Sequence, residues 1–297
     1  MGDLAGETPV RNRASLTAEY MALMRALESL RPASSRLFND PYAAGFLGAW
    51  RKWLYRMARG GLGRRVVERV LDSAAPGARA AGIARTKWID DEVTAALAQA
   101  RQLVLLGAGF DTRAFRLPAA TRAITFELDH PETSRAKQAA LKKHGPLPER
   151  VRFITLDFNH QAVDAVLTQA GFDKTQPACF VWEGVTNYLT SEAIDSVLRQ
   201  IQQAAPGSIL LVTYIDRAVL DHPERFFGAA KLMARLESYG EPWTFGYSPE
   251  ALSTFLAARG FQLLSNRSVA DVWRQAGRPN SGTRGFEFYW LASARIA

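Results

Sequence analysis

Apolar positions in this chain change their spacing about a quarter of the way along. From Ser15 to Leu30, the residues Leu16, Tyr20, Leu23, Met24 and Leu27 recur at threes and fours, the repeat of one helix face, and Pro32 ends the run. An Asn-Asp-Pro turn signal in LFNDPYAAGFLGAW opens another helical stretch, and RRVVERVLDSA continues it, so the first ~75 residues read as all-helical. Residues 1–14, polar and rich in Gly, Pro and Arg, read as a mobile tail.

After Pro76 the texture becomes an alternation. A helix through ARTKWIDDEVTAALAQA feeds the apolar run QLVLLGAG, and AITFELD, VRFITLDF, ACFVWEG and SILLVTYID follow, separated by helical patterns such as PETSRAKQAALKKHG and SEAIDSVLRQIQQAAPG. Continuous apolar runs alternating with helices predict buried parallel strands joined by crossovers, a doubly wound α/β sheet. The segments FQLLSNRSVADVW and GFEFYWLASARI read as two β-rich stretches with no helix between them, an antiparallel pair at one edge that brings the sheet to seven strands. The division expected is an N-terminal tail and helical cap over 1–75 and an α/β domain over 76–297. The stretch from about 216 to 248, too long for a simple connection and too aromatic for a linker, reads as a lid inserted over the site.

Composition narrows the classes. No apolar run reaches the ~18 to 20 residues of a membrane span, and MGDLAGETPVRNRAS lacks the apolar core of a secretory signal, so a cytoplasmic protein with no membrane partner is expected. The single cysteine, Cys179, excludes an internal disulfide framework and a cysteine-cluster metal site. A net charge of +8 is spread along the chain in groups no longer than Arg64 with Arg65 or Lys142 with Lys143, which reads as a solvated basic surface and not as a nucleic-acid groove. A monomer or weak homo-oligomer acting on a small molecule, with no metal, fits these numbers.

Candidate chemistry lies at the strand ends. Gly107 and Gly109 follow the first strand, LVLL, where ligands of open α/β sheets bind, and glycine there lets backbone turn sharply and approach a ligand closely. A dinucleotide fingerprint would need a third glycine at 112, but the chain has Asp111 and Thr112, and an aspartate opposes a pyrophosphate while suiting a cationic cofactor. Glu127 and Asp129 arrive about 20 residues after the glycines, where a carboxylate accepts ribose hydroxyls. Asp157 closes the third strand, placed to accept from an adenine amino group, with Phe158 as a flat apolar neighbour. Any one of these acids could instead serve as a helix N-cap. A ribose site without a pyrophosphate site points to S-adenosylmethionine.

The strings RTKWIDDEV, VLLGAGFDTRAFRL, FELDHP, LDF and WEGVTNYLT, in this order and spacing, resemble the leucine carboxyl methyltransferase-like family of class I methyltransferases, whose bacterial branch includes small-molecule and polyketide O-methyltransferases. SLTAEYMALMRALES and RLFNDPYAAGFL resemble its helical cap, and GEPWTFGYSPEALSTFLAARGF its lid. The resemblance implies that Arg85 pairs with the methionine carboxylate of S-adenosyl-L-methionine, that Gly107 and Gly109 let the backbone approach it, and that Asp129 holds its ribose. Asp157 and Phe158 would frame the adenine, though the family more often has leucine at the latter position. Glu183 would lie against the amino-acid end, and Tyr188 would face the transferring methyl group as the catalytic residue.

The reaction implied is O-methylation of a small-molecule carboxylate or hydroxyl. None of His130, His144, His160 and His222 stands in an acid-base motif, which favours a carboxylate; His222, in the lid, is the nearest to a base. Tyr20, Trp50, Trp53, Phe226, Phe227, Tyr239 and Trp243 are available for an acceptor pocket or for core packing, and Arg217 could meet an acidic acceptor. The competing readings are a protein C-terminal carboxyl methyltransferase, a nucleoside-cofactor dehydrogenase, and a binder without turnover.

Overall fold

The computed structural model describes residues 16–156, 161–279 and 284–297. Its sheet is built from β1 (Gln102–Leu106), β2 (Ile124–Asp129), β3 (Val151–Thr155), β4 (Ala178–Trp182), β5 (Ile209–Ile215), β6 (Phe261–Ser268) and β7 (Tyr289–Ile296). The strand order is β3-β2-β1-β4-β5-β7-β6. β1 to β5 are all parallel, and β7 runs antiparallel between β5 and β6. β1 sits between β2 and β4, so successive connections leave it in opposite directions, and the crevice beyond the carboxyl ends of β1 and β4 is the switch point.

Helices α1 (Leu16–Ser29), α2 (Ala49–Met57) and α3 (Gly61–Ala74) form the cap, and α4 (Ala78–Ala96) leads into β1. The short α5 (Arg113–Arg116) follows β1. Helices α6 (Pro131–Leu141), α7 (Val163–Gln169) and α8 (Ser191–Ile201) are crossovers; α9 (Ala218–Asp221) and α10 (Ala229–Ser238) lie in the long segment after β5 that the sequence reading expects to act as a lid, α11 (Leu252–Ala257) precedes β6, and α12 (Val269–Gln275) follows it.

β1 is buried throughout, and its side chains alternate between two cores, as a strand covered on both faces requires. Val104 and Leu106 join Phe126, Phe180 and Trp182 under α7, α8 and α11, while Leu103 and Leu105 join Ile83, Ile89, Val181 and Trp273 under α4 and α12. A third core, with Leu23, Met24, Leu27, Phe46 and Leu71, seats the cap on Phe110 of the loop after β1, so the helical layer rests directly on the candidate site.

One sequence expectation fails. The stretch between β6 and β7 does contain a helix, α12, because Ser268 accepts from the Asp271 N–H at 3.1 Å while the Asp271 carboxylate accepts from the Ser268 backbone, a capping box that satisfies the first turn. The antiparallel edge pair is present with this helix between its members.

Candidate active site

The backbone at the end of β1 is shaped by glycine. Gly107 has φ +68° and Gly109 φ +48°, the left-handed region in which an L side chain is strained. A Cβ on Gly107 would overlap Cγ2 of Val185. The loop is tied to β2, since the N–H groups of Gly107 and Ala108 both donate to the Leu128 carbonyl, at 2.8 and 3.0 Å. Asp129 finishes that link: one carboxylate oxygen accepts from the Gly109 N–H, and the other from the His130 N–H at 2.6 Å. Burial raises the Asp129 carboxyl above its ordinary value against the pull of those two donors. Each of its oxygens keeps a lone pair for a hydroxyl donor.

A chain of ion pairs crosses beneath the loop. Arg25 of α1 binds Asp40 at 2.8 Å, and Asp40 also accepts from Thr112 at 2.7 Å, the residue standing where a third glycine would be. Arg116 bridges Thr112 to Asp90 at 3.0 and 2.6 Å. Arg113 takes Asp90 at 2.7 Å, then Asp111 and Glu183 at 2.5 Å each. Glu183 passes the chain to Arg85 at 2.7 Å, and Arg85 donates to the Tyr289 hydroxyl at 2.9 Å. Four carboxylates and four guanidinium groups thus alternate through low-dielectric interior, which compensates each buried charge. Burial pushes the Asp111 carboxyl up, but Arg113 and Lys137 outweigh it and hold it at about 2. Burial acts likewise on Glu183, and Arg113 with Arg85 keeps it below the ordinary range. Both acids are ionised at neutral pH.

This arrangement refines two expectations. Asp111 is present as a charge, but it is neutralised by Arg113 within the ionic chain and is not a free anion facing a ligand. Arg85 stands at the site, on the switch-point side of α4, with Nε committed to Glu183 and Nη1 to Tyr289; donors that remain on its planar head are what a ligand carboxylate could use. Gly184, at φ +69°, lets the chain after β4 pass this guanidinium, and its N–H donates to Thr213 Oγ1 at 2.8 Å.

Tyr188 closes a short 3-10 turn after β4, fixed by Thr186, whose hydroxyl donates to the Thr213 carbonyl at 2.7 Å. The lid is sewn to this turn by the Thr244 N–H donating to the Asn187 carbonyl at 2.8 Å. Burial pushes the Tyr188 phenol up to about 12, and the nearby charges of Glu241 and Tyr289 raise it further, while Thr17 of α1 acts on it as a hydrogen-bond partner. Cap, lid and β7 therefore meet at one phenol that stays protonated. The lid's Glu241 is buried.

Other expected residues lie elsewhere. Asp157, Phe158 and His160 fall outside the described residues. His130 caps α6, His144 packs edge-on against Tyr42, and His222 is half-exposed beside Glu224 at 3.5 Å, so none of the described histidines is at Tyr188. Arg217 is exposed and paired with Asp221. Trp50, Trp53, Phe227 and Tyr239 are exposed, whereas Trp243 and Phe226 pack on Phe288.

Sequence reasoning missed Arg113, Asp90, Tyr289 and Lys137. Lys137 is the least expected, a buried lysine 2.6 Å from Glu127 with side-chain exposures of 1% and 2%. Burial lifts the Glu127 carboxyl to about 7 against the pull of Lys137, so the acid predicted near a ribose is instead half of an internal pair below it. The available signal was position: Thr133, Ser134, Lys137 and Leu141 form the buried face of α6.

The family model described as leucine carboxyl methyltransferase matches residues 18–202, more than half of the chain. A Mycolicibacterium smegmatis protein classed as an S-adenosyl-L-methionine-dependent methyltransferase is 38% identical over 169 residues, covering 54% of this chain and 51% of that one. One of the same class from Frankia alni is 35% identical over 272 residues, 90% of each chain. A methyltransferase crystal structure from Thermobifida fusca superposes with TM-score 0.57 at 19% identity over 91% of this chain and 97% of that one, a likeness of fold. The matched residues run from the cap through the glycine loop and the Glu183 turn to α8, and the chain belongs to the leucine carboxyl methyltransferase family.

Proposed function

We propose that this family member transfers a methyl group to an oxygen of a small molecule, with a carboxylate as the favoured acceptor. S-adenosylmethionine-dependent methyl transfer is its reaction class. The residues at the switch point fit that cofactor: a glycine loop with no room for a Cβ at Gly107, a carboxylate at Asp129 with lone pairs to spare, and an Arg85–Glu183 pair offering both signs of charge to a zwitterionic amino acid. When bound, the cofactor supplies an electrophilic methyl on a sulfonium. Arg85, Gly107, Gly109, Asp129 and Glu183 bind and orient it; Asp157 and Phe158 are assigned to the adenine. Tyr188 faces the transfer as a neutral hydrogen-bond donor, because a phenol held at about 12 does not serve as a base near neutral pH.

The protein's task in such a displacement is alignment and exclusion of water, and the cap, lid and Tyr188 turn converge to do both. The observation that carries the carboxylate reading is that no described histidine stands at Tyr188, so an acceptor already ionised needs nothing that is missing from the described residues. The hydroxyl reading draws on Glu241, a buried lid carboxylate whose charge reaches the Tyr188 phenol and which could take a proton. The pH profile of the transfer step separates the two. A carboxylate acceptor gives a nearly flat rate from about pH 6 to 9, and a hydroxyl acceptor gives a rate that rises with pH. Transfer to a peptide C terminus in preference to every small acid and phenol overturns both.

A further inference from the structure

The inner faces of α2 and α3 need no explanation, since Leu54, Ala58, Val67 and Leu71 are buried in the cap core. The outer faces do. On α2, Trp50, Trp53 and Met57 follow one another at three and four residues and are 64%, 48% and 44% exposed; on α3, Leu62, Val66 and Val70 recur at four and are 77%, 46% and 56% exposed. Each set is a stripe along one side of its helix. The Trp50 and Trp53 rings stack with centroids 5.1 Å apart. The turn joining the two helices is tight, since Gly63 lies so close to the Met57 carbonyl that a Cβ there would strike it. Contiguous exposed apolar side chains of this kind mark a surface that something covers.

The charges beside the stripes say what. Lys52, Arg56, Arg59, Arg65 and Arg69 are exposed, and no described carboxylate pairs with any of them. The hairpin's own acids are occupied elsewhere, Glu68 by Arg31 and Asp72 by Arg79, at 2.7 Å each. We infer that the outer face of the α2–α3 hairpin docks on an anionic lipid membrane, lying in the interface with the Trp pair and the aliphatic stripe among the acyl chains and the five cations at the headgroup phosphates. Trp with aliphatic residues on one face and Lys and Arg flanking it is the composition of an interfacial helix, whose long basic side chains reach up to the headgroups from beside the apolar stripe. A second copy of the chain is a poor occupant, because face-to-face pairing would set these cations against their equivalents. The surface begins at the site's rim: Glu19 of α1 accepts from the Gly48 N–H at 2.6 Å and pairs with Arg51 at 3.0 Å, one residue from Ala18, whose Cβ packs beside Gly109. Docking is independent of what the site methylates.

The test is co-sedimentation of the full-length protein with vesicles of phosphatidylcholine, alone or with roughly one-third phosphatidylserine. Binding should be at least about tenfold tighter to the anionic vesicles and should weaken as salt rises. Trp50→Ser with Trp53→Ser, Leu62→Ser with Val66→Ser, and Arg65→Glu with Arg69→Glu should each lower it by about tenfold or more. All three pairs should keep the wild-type melting temperature and affinity for S-adenosylhomocysteine, since these side chains face solvent. Equal association with neutral and anionic vesicles overturns the inference, as does undiminished binding by the variants. So does sedimentation as a dimer that the tryptophan variants dissociate, or capture by an acidic protein with no binding to vesicles.

Discussion

Replacing Glu183 with glutamine removes the charge that joins the last two arginines of the buried ionic chain. Arg113 keeps Asp90 and Asp111, but Arg85 keeps only the Tyr289 hydroxyl and becomes an uncompensated buried cation. Breaking a buried pair by deleting one partner costs about 3 to 5 kcal/mol; because Arg113 stays satisfied, the lower end, about 3 kcal/mol, is expected. Arg85→Met in the same chain removes the orphaned cation, and the double variant should recover about 1 to 2 kcal/mol, a coupling within the range for contacting residues. Urea denaturation at pH 7 without cofactor measures all four members of the cycle. The pH dependence is a second reading. A carboxyl held below its ordinary value in the folded state stabilises the fold above its unfolded pKa, near 4, and that stability drains away as pH falls through the folded value. Glu183 and Asp111 are both of this kind, with Asp111 at about 2, so wild-type stability should fall steeply between about pH 4 and 2 and the E183Q limb should be shallower. A single variant within about 1 kcal/mol of wild type, or strictly additive effects in the cycle, refutes the linked ionic chain.

Gly107→Ala should cost about 1 to 2 kcal/mol for its left-handed backbone and about 1 to 3 more for overlap with Val185; Val185→Ala should restore the second part alone, measured by denaturation. Asp129→Ala should weaken S-adenosylhomocysteine binding by about 1.5 to 3 kcal/mol in calorimetry, and unchanged affinity removes the ribose assignment. Lys137→Met leaves Glu127 buried without its cation and should cost about 3 to 5 kcal/mol, most of it returned by Glu127→Gln in the same chain, as read by thermal or urea unfolding. Tyr188→Phe should slow single-turnover methyl transfer about tenfold or more while leaving S-adenosylhomocysteine affinity unchanged; loss of affinity instead would make Tyr188 a cofactor-positioning residue.

The parallel strands were legible because buried strands are uninterrupted apolar runs, and the glycine loop because positive φ has few other solutions. The helix Val269–Gln275 was read as strand since SVADVW carries β-branched residues and Trp; the Ser268 and Asp271 spacing was the signal that decided otherwise. Arg85 and Glu183 stand 98 residues apart in the chain, and Arg85 and Tyr289 stand 204 apart, so no local pattern announces their contact. Lys137 looks in sequence like any helix lysine and differs only by lying on the buried side of α6. The aromatic residues Trp50 and Trp53 misled in the other direction, because helical spacing fixes which residues share a face and not whether that face meets core or solvent.

The proposed reaction is methyl transfer from S-adenosylmethionine to an oxygen of a small molecule at the crevice between β1 and β4. Incubation with methyl-labelled donor and a panel of small carboxylic acids, phenols, alcohols and a peptide with a free C terminus tests it most directly, with Tyr188→Phe and Asp129→Ala run alongside. Label is expected in a small acid as a base-labile ester, or in a hydroxyl as a stable ether, reduced in both variants. Label confined to the peptide terminus, or transfer that neither substitution slows, would contradict it.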